Sequence, residues 1–116
     1  MLKHLPITSN WQVNQGTDFA YAYLWKNDGV PMDLSTWSAD IQARPSVHSD
    51  TVFFELDETD GITLSNDGLI LVEIPAVTSA AWAWSFAIAD LVLTTADSVT
   101  IRFARIHIRN DYAVLR

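Results

Sequence analysis

Cysteine is absent from the 116 residues, which excludes disulfide staples and thiolate metal sites. Cations are scarce. Lys and Arg number 7 against 14 Asp and Glu, a formal net charge of −7. Such a surface repels phosphate backbones and no Lys/Arg cluster offsets it, so no nucleic-acid partner is expected. The 4 glycines all fit turns or a strand start. No phosphate loop, Gly-x-Gly-x-x-Gly or Gly-x-Ser-x-Gly pattern occurs. No apolar run approaches the ~20 residues of a membrane-spanning helix. The longest candidate, 76–93, is broken by Thr78, Ser79, Ser85 and Asp90, so no membrane insertion is expected. Met1-Leu2-Lys3-His4-Leu5-Pro6 lacks the apolar segment of a signal peptide, which predicts a soluble protein made in the cytoplasm.

What remains is hydrophobic: 49% of residues, with 18% charged. That balance lies far from the disordered regime and is enough for a core. The length predicts one domain over 1–116, with short arms at 1–10 and 110–116 able to reach a neighbour.

Short apolar runs alternate with turn chemistry about every ten residues, the mark of a β-sandwich or barrel. Residues 18–25 place Phe19, Tyr21, Tyr23 and Trp25 on one face and Ala20, Ala22 and Leu24 on the other. Asn27-Asp28-Gly29 then turns the chain, and Pro31 follows. Residues 37–44 set Trp37, Ala39, Ile41 and Ala43 against Ser38, Asp40, Gln42 and Arg44. This is a strand with one wet face. Residues 51–56 are a third strand. Residues 61–74 read as a hairpin around Asn66-Asp67-Gly68, 76–83 as a short helical turn, and 84–95 and 99–109 as the last strands. In the last, Val99, Ile101 and Phe103 share one parity, but Ile106 and Ile108 take the other. A β-bulge near Ala104-Arg105 reconciles the halves. The reading is an all-β, immunoglobulin-like antiparallel sandwich of about seven strands, with Trp37, Ala39, Ile41, Ala43, Ile101 and Phe103 inward.

Chemistry is sparse. Asp57, Glu58 and Asp60 crowd one loop and Asp67 lies in the next, but their spacing matches no calcium loop and suits turns. His4, His48 and His107 share no metal-ligand spacing. Neither a catalytic constellation nor a cofactor is expected, and the protein reads as a non-enzyme. The aromatics are the distinctive set. The 18–25 strand is apolar on both faces, and a two-layer sandwich turns only one face inward. Tyr21, Tyr23 and Trp25, with Trp82 and Trp84, therefore form the pool from which partner contacts are expected. Exposed aromatics also stack on sugars, so a carbohydrate-binding module using exposed Trp or Tyr residues is the alternative.

The order of landmarks resembles a family. Gln15-Gly16-Thr17-Asp18-Phe19 leads into the first long strand. Gly29-x-Pro31-Met32-Asp33-Leu34-Ser35 follows, then Ile41-Gln42-Ala43-Arg44 at a strand end. Gly68-Leu69-Ile70-Leu71, Ile74-Pro75, Ala89-Asp90-Leu91-Val92-Leu93 and the 102–109 strand complete the series. The pattern is similar to small phage tail and baseplate proteins, notably the N-terminal domain of siphophage upper baseplate proteins. The resemblance implies an immunoglobulin-like sandwich packed against other virion proteins and copies of itself, a structural or adaptor subunit located in the virion.

Overall fold

Alternation of large apolar and polar residues decides which segments become strands. In a computed structural model, which describes residues 6–114, it yields ten strands and one short helix among the described residues. The strands are β1 (Ile7–Asn14), β2 (Phe19–Leu24), β3 (Lys26–Asn27), β4 (Val30–Pro31), β5 (Ser38–Arg44), β6 (Phe54–Asp57), β7 (Ile62–Leu64), β8 (Leu69–Ile74), β9 (Phe86–Thr94) and β10 (Thr100–Asp111). The helix α1 spans Ala76–Ala80.

Two sheets face each other. One has the order β1-β10-β9-β5-β6, the other β2-β8-β7, and β3 and β4 form a small hairpin. This is the division of an immunoglobulin-like sandwich, in which the second strand pairs with the later strands of its own sheet and the last two strands join the third. Eight strands have three or more residues, one more than the sequence predicts. One pair departs from the antiparallel expectation: β1 runs parallel to β10, with Trp11 opposite Ile108. It can do so because nearly the whole chain intervenes as the crossover that a parallel pair requires.

The same strand corrects the expected N-terminal arm. Residues 7–10 belong to β1, and Ser9, Trp11 and Val13 turn inward along it. At the other end Asn110 and Asp111 complete β10. Of the rest of the two predicted arms, Pro6 and residues 112–114 lie outside any strand, and 1–5 and 115–116 lie outside the described residues. The strand expected at 51–56 is shorter, beginning at Phe54.

The core lies between the sheets. Leu34, Ala39, Ile41, Ala43, Ile70, Val72, Leu91, Leu93 and Ile106 are fully enclosed. Trp37 and Ile101 pack against this cluster from its rim. The register of β10 slips between Arg102 and Ala104. The extra residue is Phe103, one position before the expected site. The bulge turns both Phe103 and Ala104 inward, and Ile106 and Ile108 follow inward. Without it, Ile106 and Ile108 would face water.

Gln15 ties the ends of the chain together. Its N–H donates to Asp111 O (2.9 Å). Its Nε2 donates to Trp82 O (2.9 Å), and its Oε1 accepts from Ala113 N (2.9 Å). Beside it, Gly16 N–H donates to the buried Ser79 hydroxyl of α1 (2.9 Å), and Asp18 Oδ1 accepts from Ala76 N at the start of that helix (2.8 Å).

Candidate interaction surface

Three of the five residues in the expected contact pool are built into the core, which corrects the expectation for those three. Tyr23, Trp25 and Trp82 are buried, and Tyr21 and Trp84 are half-buried. Their positions follow from volume. The odd-numbered face of β2 carries every large ring of the strand, and filling the space between two sheets about 10 Å apart takes those rings.

Trp11 contacts Phe19 (5.2 Å between centroids) and Tyr21 (5.7 Å), Tyr23 meets Phe103 edge-on (5.6 Å), and Trp25 meets Trp37 edge-on (5.4 Å). Trp11 Nε1 donates to the Tyr23 hydroxyl at 3.0 Å inside this array. Burial raises the Tyr23 pKa, against the lowering effect of its contacts with Ser9 and Trp11. Trp82 and Trp84 stack on each other (4.6 Å) and on Phe54 and Phe53 (4.9 and 5.0 Å). They close one end of the sandwich, where Asn110 Nδ2 donates to Trp84 O (2.8 Å).

The uncovered surface is the reverse of β2. Ala20 and Ala22 are exposed and Leu24 is 57% exposed. Across the ladder, Ala22 lies opposite Leu71 and Leu24 opposite Leu69, and both of these leucines are half-buried. With Thr63 of β7 beside Leu71, they make a low-polarity outer face on the three-stranded sheet. Its one acid is Glu73, at the end opposite Ala20. The second apolar face expected of residues 18–25 therefore exists, and its residues are Ala20, Ala22 and Leu24 rather than the aromatics.

The outer face of the five-stranded sheet is different in kind. Glu55, Gln42, Asp90, Arg105 and Thr8 form one row across five strands. Gln42 Nε2 donates to Glu55 (3.2 Å), and Arg105 donates to both oxygens of Asp90 (2.5 and 3.2 Å). The Asp90 bond raises the Arg105 pKa further above its ordinary value. An open groove of about 530 Å³ runs over this row between Arg44, Val47, Ile88 and Arg105. At one corner of the sheet Phe86 stands 68% exposed, beside a smaller groove that includes His107 and Arg109.

Three of the loop acids, Asp57, Glu58 and Asp67, are engaged in hydrogen bonds within the chain. Asp57 Oδ1 accepts from Thr59 N and Oγ1 (2.8 and 2.6 Å), which lowers its pKa. Glu58 Oε2 accepts from Ala39 N (3.0 Å), and Asp67 accepts from the Ser65 hydroxyl. Among the described residues, no three His, Asp or Glu side chains are grouped to hold a metal ion. Of the histidines, His48 is exposed on the β5–β6 loop and His107 on β10, and His4 lies outside the described residues.

A scan against protein-family models finds no match to this chain, and a search of curated proteins finds none either.

Proposed function

We propose that the protein is a non-enzymatic structural or adaptor subunit that works by being held in a multi-protein assembly, a phage tail or baseplate being the assembly its landmarks resemble. The observation that carries this reading is the outer face of the β2-β8-β7 sheet. Ala22, Leu24, Leu69 and Leu71 lie together there, with Glu73 beyond them opposite Ala20. A contiguous apolar patch on a small domain marks a protein-contact surface. The paired charges of the opposite face, by contrast, suit contact with water. The groove over Asp90 and Arg105 offers no nucleophile with an adjacent base, and its one carboxylate–guanidinium pair is already closed on itself,.

The carbohydrate-binding alternative draws less support, because Trp25 and Trp82 are inside and half-buried Trp84 is stacked on Phe53. Phe86 and Tyr112 are the exposed large aromatics among the described residues.

Mass spectrometry of particles purified from an induced lysogen or infected culture tests the proposal, together with Leu24→Lys and Leu71→Glu variants supplied in trans. We expect the protein in the particles and both variants excluded from them while remaining folded. Particles that lack the protein, or that take up both variants normally, refute it.

A further inference from the structure

We infer that a second copy of the same chain joins antiparallel along the free edge of β2, about a twofold axis through Ala22. The pairing would continue the β2-β8-β7 sheet into the second copy and leave its outer face open, so it goes beyond the surface proposed above.

β2 is an edge strand, bonded to β8 on one side only among the described residues. Proteins guard such edges with charge, proline, bulges or shortness. The other edges here are guarded or polar. β6 carries Glu55 and Asp57, β7 has 3 residues, and β1 shows Thr8, Asn10, Gln12 and Asn14 outward. Phe19-Ala20-Tyr21-Ala22-Tyr23-Leu24 has none of these devices.

The hydrogen-bond alternation fixes which groups point outward. Glu73 N–H bonds to Gly61 O (2.8 Å), so the odd residues of β8 face β7 and the even ones face β2. The even residues Ile74, Val72 and Ile70 pair with Phe19, Tyr21 and Tyr23. Trp25 N–H extends that ladder to Gly68 O (2.8 Å). The N–H and C=O groups of Ala20, Ala22 and Leu24 therefore point to the free edge.

A symmetric antiparallel partner must oppose even residues to even residues, which allows a twofold axis at Tyr21, Ala22 or Tyr23. Charge chooses among them. An axis at Ala22 sets Asp18 opposite the partner's Lys26, twice. An axis at Tyr23 sets Asp18 opposite the partner's Asp28. An axis at Tyr21 leaves Asp18 against Leu24 and Lys26 against Gly16. The Ala22 register also sets Ala20 against the partner's Leu24, small against large on the outer face, and Tyr21 against the partner's Tyr23 on the inner one. The two charged residues sit just outside the strand, and both are exposed. For a chain of net charge −7, this nearly charge-free strip bounded by one acid and one base is a self-complementary place for two copies to meet.

Sedimentation velocity on the full chain from about 1 µM to 0.5 mM is the test, with cysteine cross-linking on a background that has no native cysteine. The wild type is expected to dimerise with rising concentration. Lys26→Asp should weaken the dimer about tenfold or more, since each lost pair becomes a repulsion. Ala22→Lys should be monomeric with an unchanged far-UV spectrum. Under mild oxidation Ala22→Cys should cross-link to itself, because the paired Cα atoms lie ~5.5 Å apart, within disulfide reach. Ala20→Cys should not, because its two copies are ~14 Å apart in this register. A monomer throughout the range overturns the inference, as does a dimer indifferent to Ala22→Lys. Ala20→Cys cross-linking faster than Ala22→Cys overturns the register. These outcomes are separate from the function above: a dimer missing from particles refutes the virion role alone, and a monomer found in particles refutes the self-pairing alone.

Discussion

Gly68 is where the hairpin turn, the end of β2 and the loop before β5 are locked together, and replacing it with alanine should damage the fold in a measurable, separable way. Its φ is +84°, a region that L-residues enter at a penalty of roughly 1–2 kcal/mol,. Space is the second problem. A Cβ at Gly68 falls well inside contact distance of the Trp25 carbonyl oxygen and 3.3 Å from Met32 N. Backbone atoms of a packed strand cannot swing aside as a flexible side chain can. Relief requires moving the end of β2 away from the turn, which breaks Trp25 N–H to Gly68 O (2.8 Å) and Met32 N–H to Trp25 O (3.0 Å). At about 1 kcal/mol for each bond, the total loss for Gly68→Ala is about 3–4 kcal/mol. Gly29 is the internal control. Its φ is +80°, and an added Cβ meets nothing within 4 Å, so Gly29→Ala should lose only the backbone part, about 1–2 kcal/mol. Urea unfolding followed by tryptophan fluorescence reads both against the wild type. A gap of about 2 kcal/mol between the variants supports the reasoning. If Gly68→Ala and Gly29→Ala agree within about 0.5 kcal/mol, the close approach of Gly68 to Trp25 is not a constraint on this fold and the argument is wrong.

Tyr23→Phe should cost about 1–3 kcal/mol in the same assay, because it strips the acceptor from the buried Trp11 indole N–H,; an unchanged midpoint would mean that this N–H finds another partner. Arg105→Ala should lose no more than about 1 kcal/mol, since the pair with Asp90 is about a third exposed,; a loss of several kcal/mol would mark the outer face of the large sheet as structural. Burial raises the Asp40 pKa, and repulsion from Glu58, Asp57 and Glu55 adds to it. The stability gained from its protonated form is full below the unfolded carboxylate pKa and disappears as pH rises through the folded value, so Asp40→Asn should stabilise the protein at neutral pH and lose that advantage in acid. For Asp33 and Asp57, hydrogen bonds from Ser35 and Thr59 lower the pKa. Their contribution is present above the unfolded carboxylate pKa and is lost as pH falls through the lower folded value, so Asp57→Asn should flatten the acid limb of a melting-temperature profile; an identical limb in the variant would contradict this.

The sequence by itself determined the β class, most strand positions and the bulge. These depend on side-chain parity and turn chemistry, which are local. The 37–44 alternation became β5 with Ala39, Ile41 and Ala43 enclosed, and the parity break in the last strand could be resolved only by an extra residue. Asn66-Asp67-Gly68 joins two strands because Gly68 tolerates a positive φ. It also showed that residues 18–25 were apolar on both faces. Which face would be inside was decided by the tertiary structure, because both periodicities are equally hydrophobic and only the volume between the sheets separates them. The rings filled it, and the alanines and Leu24 were left outside. β1 escaped the sequence reading for a related reason: Ile7-Thr8-Ser9-Asn10 has little apolar contrast, and its pairing with β10 bridges almost the full chain. The role of Gln15 was equally hidden, since its partners Trp82, Asp111 and Ala113 lie far along the chain. The free edge of β2 follows from strand order, a property of the folded sheet that no local pattern contains.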